Sequence, residues 1–501
     1  MNVLLEKKHL YPLLAFAVPL LLRVIPEVLM GPYVVGFDTM AHYAPTTALW
    51  LSGGVDLWNY IAIAPLFYTL IVSLVSLGGP LLLVLKIVPP LLHGFLGLSI
   101  YGYAKIGLNW SPKKSAFTAL LATAYFVAMR ISWDLLRNEL ALVFFFVVLT
   151  LMHPGCVWRS QWKRYLLLTL GMAAVVLSNQ LVAVIMLGMI AFTVLHGLVR
   201  RKWLDAAKLM ATAMPSAIVF FAALYLSPAV SEFRLIFGFP ATSDGWLALF
   251  GYSSYPAMLA GEIGFFLYCF LFLLPLAILS FRRFRDFQMR TWLVLILIAS
   301  LIPLVSPSNL RWIMMLIYPL AFYVAEGMSR LRSMPWKWFK MTALKAAAVY
   351  LAVTTAVLSL GFMMDTPENP LPYFNPGQLN GYIYQIPSSM LQNTVSISDC
   401  ADTAKAFAWF RDNAADDAVM LAHRAFYGWA MLTLNERQVV LYEYDNPVQV
   451  AEALAQSGQS HLYVVWWISG LGWYGQSSLS SDFEEVYRVG RMAVYAYKPA
   501  T

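Results

Sequence analysis

The chain has 501 residues, of which 60% are hydrophobic and only 12% are charged. This composition excludes a single soluble domain, because a water-facing surface needs more polar residues than this. The formal net charge is +8, but the Lys and Arg residues fall in small clusters between apolar runs. Such clusters are typical of the inside loops of membrane proteins. We therefore predict a multi-pass protein of the cell membrane that has membrane lipid as a partner and binds no nucleic acid.

The apolar runs predict a mainly α fold, a polytopic transmembrane helix bundle of about eleven spans. They lie at about residues 10–30, 81–107, 116–131, 139–152, 165–177, 181–198, 208–227, 261–281, 291–305, 313–327 and 343–363. A further run, residues 61–77, contains Pro65. As a helix it would reach only about 25 Å, against a hydrocarbon core of about 30 Å.

The distribution of charge indicates whether the run at residues 61–77 crosses the membrane. If it does not cross, the outer loops hold only Arg130, Arg137, Arg234 and Arg311, and the inside loops collect the basic clusters. If it crosses, most of the basic clusters move to the outer loops, which contradicts the positive-inside rule. We therefore interpret residues 61–77 as a juxtamembrane or re-entrant helix on the outer face. The N-terminus is then cytoplasmic and the C-terminal domain extracytoplasmic.

The first outer loop, within residues 31–80, opens with a short polar stretch that contains Asp38 and His42. A carboxylate beside a histidine at the membrane surface can act as a general base, or can bind a divalent cation such as Mg²⁺ or Mn²⁺. The spacing of four suits one helical face, but Gly36 and Pro45 interrupt a regular helical pattern. A loop aspartate is also a common cap or turn former, so both interpretations stay open.

The second outer loop, predicted at residues 131–138, is short and densely charged. Arg130, Asp134, Arg137 and Glu139 lie in it or beside it. These charges either neutralise one another or complete a site with Asp38. In the second case Asp134 is a candidate catalytic residue and, with Asp38, a candidate metal ligand.

Two further polar positions follow downstream. Ser178-Asn179-Gln180 is the entire turn between two apolar runs, which indicates either a buried polar cavity that binds substrate or a cap of a helical hairpin. A long outer loop is predicted at residues 228–260. Arg311 is the only cation of the outer turn before the run at 313–327, and a guanidinium there suits a phosphate, of the substrate or of an ordinary lipid headgroup.

The composition changes after residue 363. A linker at residues 364–398 precedes a domain at residues 399–501 in which helical and strand patterns alternate. Helices are predicted at 402–414 and 447–457, and strands at 418–422, 438–442, 461–467, 483–489 and 492–497. A small extracytoplasmic α/β domain follows from this order. It contains no Gly-rich phosphate loop and no nucleophile elbow, so we expect the chemistry elsewhere.

Several of these motifs together resemble the GT-C superfamily of polytopic glycosyltransferases, which includes protein O-mannosyltransferases, aminoarabinose transferases and catalytic subunits of oligosaccharyltransferase. The resemblance rests on Gly36-Phe37-Asp38 with His42 and Tyr43 in the first loop, and on Pro65-Leu66-Phe67-Tyr68 opening the juxtamembrane helix. It covers residues 1–363 in layout. In the tail, Ala406 to Asn413 and Tyr427-Gly428-Trp429 are similar to the α/β domain that many members carry.

The resemblance implies a function in protein or cell-envelope glycosylation. It implies transfer of a sugar from a polyprenyl-phosphate donor to a protein or glycan acceptor, with inversion at the anomeric carbon. Asp38 maps onto the catalytic base or metal carboxylate, Asp134 or less securely Glu139 onto the second-loop acid, and Arg311 onto the arginine that contacts the carrier phosphate. The second loop lacks an Asp-x-Asp or Glu-x-Asp pair, which puts metal dependence in doubt. The Trp-Trp-Asp-Tyr-Gly signature of oligosaccharyltransferase is absent, which disfavours en bloc transfer to asparagine.

Two other classes of function are compatible with a polytopic chain. A transporter or flippase of a lipid-linked glycan or another solute would be expected to show internal repeats, and no matching halves are present in the sequence. A non-catalytic membrane scaffold would use the tail to bind a partner.

Overall fold

The computed structural model describes residues 7–53, 65–226, 254–301, 309–332, 337–366, 371, 373–374, 390–434, 436–442, 446–468 and 479–498. The predicted loop at 228–260 and most of the predicted linker at 364–398 lie outside these residues.

The N-terminal part is a bundle of α-helices with two short π-helical segments, Thr39–Tyr43 and Tyr103–Gly107. The first helices are α1 (Lys7–Leu29), α2 (Ala44–Leu51), α3 (Leu66–Ser76), α4 (Leu81–Gly102), α5 (Pro112–Ala124), α6 (Phe126–Asp134), α7 (Leu136–Met152) and α8 (Gln161–Ser178). They are followed by α9 (Gln180–Val199), α10 (Trp203–Leu226), α11 (Tyr255–Phe270), α12 (Leu274–Ser280), α13 (Phe287–Leu301), α14 (Asn309–Met314), α15 (Ile317–Arg332) and α16 (Lys337–Met364).

The helices are those of a multi-pass membrane protein. Among the described residues, six stretches are long and apolar enough to cross a membrane, or eight if two bent pairs each form one span. The count of about eleven spans is not confirmed. The predicted juxtamembrane run corresponds to α3, and residues 61–64 of that run lie outside the described chain.

Two predicted spans are bent rather than straight. The run at 116–131 breaks between α5 and α6, which meet at 60°, and the run at 261–281 breaks between α11 and α12, which meet at 91°. Pro275 in the first turn of α12 is the sequence signal for the second break. The first has no such signal. Tyr125 adopts an extended backbone there, and its hydroxyl donates to the carbonyl of Cys269 at 2.9 Å.

The segment predicted as an outer loop at residues 131–138 has regular secondary structure. It is helical on both sides of Leu135, the single residue between α6 and α7. Three aromatic or aliphatic residues in this stretch, Ile131, Trp133 and Leu136, are buried. Their burial favours helices that pack into the bundle over a loop in solvent.

Helix α4 has one face in the bundle and one face open to lipid. In α4, Leu83, Ile87 and Leu91 are exposed at a spacing of four, whereas Leu85 and Leu92 are buried. A Cβ atom at Gly97 would lie 2.1 Å from the carbonyl oxygen of Ala15, so α4 approaches the backbone of α1 closely. Small residues at the contact allow such close packing where lipid supplies no hydrophobic force.

A buried charge cluster ties three of these helices together. Arg23 and Glu27, one turn apart on α1, lie 2.8 Å from each other, and Lys86 of α4 lies 3.5 Å from Glu27. Arg23 also donates its Nε–H to the carbonyl of Ser132 at 3.1 Å. The cluster therefore fixes α6 against α1.

The C-terminal part is an α/β domain. It comprises α17 (Ile397–Asn413), β1 (Val419–His423), α18 (Arg424–Thr433), β2 (Val439–Tyr442), α19 (Pro447–Gln456), β3 (Leu462–Trp467), β4 (Phe483–Val489) and β5 (Met492–Tyr497). The strand order is β2-β1-β3-β5-β4. β2, β1 and β3 are parallel, and β5 is antiparallel to its neighbours β3 and β4. The predicted α/β character is confirmed, and α18 is an additional helix that the sequence did not predict.

Candidate active site

The loop that carries Asp38 is held in place by a glycine. Gly36 has a φ of +101°, and a Cβ atom there would lie 2.1 Å from the carbonyl oxygen of Trp133. Only glycine fits both the left-handed backbone and this close approach. The Gly-x-Asp motif therefore joins the first loop directly to α6.

The Asp38 carboxylate is partly exposed. Asp38 directly precedes the π-helical segment Thr39–Tyr43. Within the described parts of the chain, no side chain forms a hydrogen bond or ion pair with its carboxylate. Its charge acts on Tyr43, Tyr68, Asp134 and Arg137. A carboxylate that is held by its backbone and not neutralised by a partner is available to a substrate.

Asp134 lies beside this carboxylate at the end of α6. It is 4% exposed and forms an ion pair with Arg130 one helical turn earlier. The backbone carbonyl of Asp134 accepts a hydrogen bond from the Tyr43 hydroxyl at 2.9 Å. Burial, with a further contribution from Asp38, raises the pKa of the Tyr43 hydroxyl, so Tyr43 stays protonated and acts as a donor.

Arg311 belongs to the same electrostatic neighbourhood. It is exposed on α14, and its positive charge acts on Asp134, as does the negative charge of Asp38. The charges of Asp38 and Arg311, which are far apart in the sequence, therefore both act on Asp134.

Arg137 is a site residue whose position the sequence did not indicate. The sequence predicted only that its charge is neutralised by the neighbouring acids or completes a site with Asp38. In the structure its guanidinium lies 5.8 Å from the centroid of the Tyr43 ring and 6.0 Å from that of Tyr68, and it hydrogen-bonds to Tyr43. Such stacking on aromatic rings is common for arginine. A partly buried cation thus lies behind Asp38.

Glu139 lies inside the bundle. One carboxylate oxygen is 2.5 Å from Nδ1 of His93, and the other accepts a hydrogen bond from Ser132 at 3.2 Å. The residue is fully buried. Both oxygens of Glu139 are thus engaged by the protein, in contrast to those of Asp38, and its predicted role in substrate binding stays a prediction.

The turn between α8 and α9 has the geometry of a helical-hairpin cap. The Asn179 side chain accepts a hydrogen bond from the backbone N–H of Val182 at 3.1 Å, and donates one to Asn138 at 2.9 Å. Gln180 is the first residue of α9 and is partly buried. Asn138 adjoins Arg137 in the chain, so the cap lies behind the site and supports α7.

The C-terminal domain contacts the same loop. Nε2 of His42 lies 2.9 Å from a guanidinium nitrogen of Arg424, and since an arginine can only donate, His42 accepts at Nε2. A Cβ atom at Gly428 would lie 1.7 Å from the carbonyl oxygen of Met40. Helix α18 therefore packs on the π-helical segment through the Tyr427-Gly428-Trp429 motif.

A strand-like stretch before α17 adds a second attachment. The carbonyl of Gln392 accepts hydrogen bonds from the Gly36 N–H at 3.0 Å and from the Trp133 indole at 3.2 Å. Asn393 donates to the carbonyl of Val34 at 3.2 Å. The first loop is thus held between α6 on one side and the tail on the other.

If a divalent cation binds here, Asp38 and Asp134 are the carboxylates that could hold it. Mg²⁺ is commonly held by one or two protein carboxylates together with substrate phosphate oxygens and water. Among the described residues no group of three or more His, Cys, Asp or Glu side chains converges as a metal site. Substrate oxygens and water would therefore have to supply the remaining ligands.

The chain was compared with known proteins. No protein-family model and no curated protein matches it. Among solved structures, ArnT from Cupriavidus metallidurans bound to undecaprenyl phosphate matches 97% of each chain, with 13% identity and a TM-score of 0.55. The match to the arabinofuranosyltransferase AftD from Mycobacteria covers 98% of this chain and 40% of the AftD chain, with 15% identity and a TM-score of 0.56.

The match to the oligosaccharyltransferase of Archaeoglobus fulgidus in its apo form covers 94% of this chain and 71% of the oligosaccharyltransferase chain, with 12% identity and a TM-score of 0.54. All three neighbours are GT-C glycosyltransferases. The chain therefore has the GT-C fold that its first-loop motif and helix layout predicted.

Proposed function

We propose that this chain is a membrane glycosyltransferase that transfers a sugar from a polyprenyl-phosphate-linked donor to an acceptor on the outer face of the membrane. The observation that carries the proposal is the position of Asp38, which is partly exposed in a loop that Gly36 and Tyr43 attach to the end of α6. The charges of Asp38 and Arg311 both act on Asp134 there. The undecaprenyl phosphate bound to the ArnT neighbour supports a lipid carrier of this kind.

In the proposed reaction a nucleophilic oxygen or nitrogen of the acceptor attacks the anomeric carbon of the donor sugar. Asp38 accepts the proton that the acceptor loses, because its carboxylate is partly exposed and unpaired within the described chain. The bond between the anomeric carbon and the phosphate oxygen breaks, and its electron pair stays on the polyprenyl phosphate. A single displacement of this kind inverts the anomeric centre.

Arg311 has the role of phosphate clamp. A guanidinium can bind two phosphate oxygens at once, and its exposed position on α14 leaves it accessible to a lipid-borne phosphate. The negative charge on the phosphate increases as the sugar leaves. Arg311 therefore binds the leaving group more strongly in the transition state than in the ground state.

Asp134 and Arg130 are positioning residues in this proposal. Their ion pair lies in the last turn of α6, next to the Trp133 carbonyl that contacts Gly36. If a divalent cation takes part, Asp38 and Asp134 would hold it, and it would neutralise charge on the donor phosphate.

The Asp38→Asn variant tests the proposal. Loss of a general base typically reduces the rate by about 10² to 10⁴. We expect a loss of this size in the release of polyprenyl phosphate, measured with the full chain in proteoliposomes against a panel of polyprenyl-phosphate sugars. Repeating the assay with a chelator decides whether a divalent cation is required.

Asp412→Asn is the matched control, because Asp412 is an exposed aspartate of the C-terminal domain, paired with Arg411. It should keep full activity, and both variants should unfold at the temperature of the wild type. Unchanged transfer by Asp38→Asn would exclude Asp38 as the base. Movement of the lipid-linked sugar across the bilayer without transfer would favour a flippase instead.

A further inference from the structure

A large cavity lies at the end of the bundle opposite Asp38. It has a volume of about 1010 Å³ and lies between the beginnings of α8 and α10, the end of α9 and the segment that precedes α13. We call it the basal cavity and define it by Arg164, Lys202, Lys208, Arg285 and Gln288. Helix α7 separates it from the candidate active site, and 17 helical residues span about 25 Å.

The charges that line the basal cavity are mostly positive. Four cations, those of Arg164, Lys202, Lys208 and Arg285, are present with two carboxylates, those of Asp205 and Asp286. Asp286 is already engaged, since it accepts a hydrogen bond from Tyr103 at 2.9 Å and lies 3.1 Å from Nε2 of His153. The cavity therefore has an excess of positive charge.

Three of these cations are accessible to a ligand. Arg164 donates its Nε–H to the carbonyl of Leu151 at 2.7 Å and so helps to end α7. Lys202, Lys208 and Arg285 are exposed, and their side chains form no hydrogen bond or ion pair within the described ranges. Three cations around one concavity fit a phosphate group.

A buried amide, that of Gln288, indicates that the ligand also carries a hydrogen-bond donor. Gln288 lines the cavity and is only 7% exposed, and its Oε1 has no hydrogen-bond donor within the described part of the chain. Leaving such a buried acceptor unpaired is energetically unfavourable. A ligand hydroxyl that donates to Oε1 would remove this cost.

The rim of the cavity has the composition of a membrane interface. Trp203 and Leu204, which follow Lys202 directly, are 63% and 67% exposed, and Trp162 at the start of α8 is 65% exposed. Indole rings favour the level of lipid headgroups. A ligand with its phosphate in the cavity and its chains along these residues is a phospholipid rather than a soluble ester.

We propose that the basal cavity binds the headgroup of an anionic phospholipid that carries a free hydroxyl. Lys202, Lys208 and Arg285 bind the phosphate, and a headgroup hydroxyl donates a hydrogen bond to Oε1 of Gln288. This site is independent of sugar transfer, since it lies at the other end of α7.

Native mass spectrometry of the delipidated full chain tests this site with three lipids: phosphatidylglycerol, phosphatidic acid and phosphatidylcholine. We expect phosphatidylglycerol to be retained at least tenfold more strongly than phosphatidylcholine. The triple variant Lys202→Gln, Lys208→Gln and Arg285→Gln should abolish this preference. Gln288→Leu should reduce retention of phosphatidylglycerol to that of phosphatidic acid, which lacks the hydroxyl.

The matched control is the triple variant Arg200→Gln, Arg282→Gln and Arg283→Gln, which removes three exposed cations of neighbouring segments that do not line the cavity. It should retain phosphatidylglycerol like the wild type. An equal loss in this control would mean that only a diffuse basic surface is present, and would overturn the proposal. Displacement of the lipid by sn-glycerol 3-phosphate at equal concentration would also overturn it, in favour of a soluble ligand.

The melting temperature of each variant, measured without added lipid, identifies any loss of fold. If the triple variant of the cavity does not fold, Gln288→Leu decides alone. A Gln288→Leu protein that folds and keeps the full preference for phosphatidylglycerol over phosphatidic acid contradicts the site.

Discussion

Gly36 determines where Asp38 can act. Its φ of +101° and its contact with the Trp133 carbonyl place the next two residues at the junction of α6 and α7. The Gly-x-Asp motif was recognisable in the sequence, but the partner of the glycine, 97 residues away, was not. The same holds for Arg137, because pairing with the nearest carboxylate was the natural expectation and stacking on Tyr43 and Tyr68 depends on the fold.

At the scale of single residues, Arg311 yields a direct test of the phosphate clamp. We expect Arg311→Gln to weaken binding of polyprenyl phosphate about 10-fold to 100-fold, because a hydrogen bond to a charged group contributes about 1.5–3 kcal/mol. Arg311→Lys should keep part of the affinity but lose the bidentate contact. Binding is measured by quenching of tryptophan fluorescence in detergent.

The control for Arg311 is Arg282→Gln, which removes an exposed cation from a segment outside the candidate site. It should bind polyprenyl phosphate like the wild type. Equal affinity of the Arg311→Gln protein would show that the phosphate binds elsewhere, although Asp38 could still be the base.

At the scale of elements, the site depends on the contact between α18 and the π-helical segment Thr39–Tyr43. Gly428 brings α18 onto the carbonyl of Met40, and Arg424 on the same helix lies 2.9 Å from His42. The catalytic role predicted for His42 is untested. Its bond to Arg424 favours a role in docking the domain. The tail therefore contributes to the position of the first loop.

Gly428→Ala should separate α18 from the π-helical segment Thr39–Tyr43. The added methyl group meets a backbone oxygen at 1.7 Å, and overpacking of this kind costs about 1–3 kcal/mol. We expect a lower melting temperature, faster proteolysis between the bundle and the tail, and reduced sugar transfer.

Gly102→Ala is the control, because Gly102 is also helical and a Cβ atom there meets nothing within 4 Å. It should be neutral or slightly stabilising. If both substitutions have the same small effect, the contact between α18 and the π-helical segment does not hold the tail in place.

At the scale of the whole molecule, the bundle has two ends of different chemistry, with Asp38, Asp134 and Arg311 at one and the basal cavity at the other. From the positive-inside rule we expect the basic end to face the cytoplasm. The C-terminal domain packs on the loop that carries Asp38, so both should face outward.

Cysteine labelling in intact cells tests this orientation. A Gln456→Cys protein should react with a membrane-impermeant maleimide, and an Arg282→Cys protein should react only after the cells are lysed. The three native cysteines are buried, and burial raises the pKa of the Cys400 thiol to about 12, so its background labelling at pH 7 should be low. The opposite pattern would place the candidate site in the cytoplasm.

The sequence by itself determined the class of the protein and much of its layout. Apolar runs predicted helices at nearly the observed positions, because burial in lipid or protein requires long apolar stretches with internally bonded backbones. The strands at 483–489 and 492–497 were predicted at their observed bounds, and they pair as a hairpin around Gly490, which has a φ of +53°.

Only the tertiary structure decided how these parts meet. The bend at Tyr125, the helical character of residues 131–134 and the Gly428 contact depend on groups that are distant in the chain, such as Cys269, Trp133 and Met40. Local propensity and hydropathy contain no information on such partners. For the same physical reason, Asp38 and Arg311 were separate candidates in the sequence and became one candidate site only in the folded bundle.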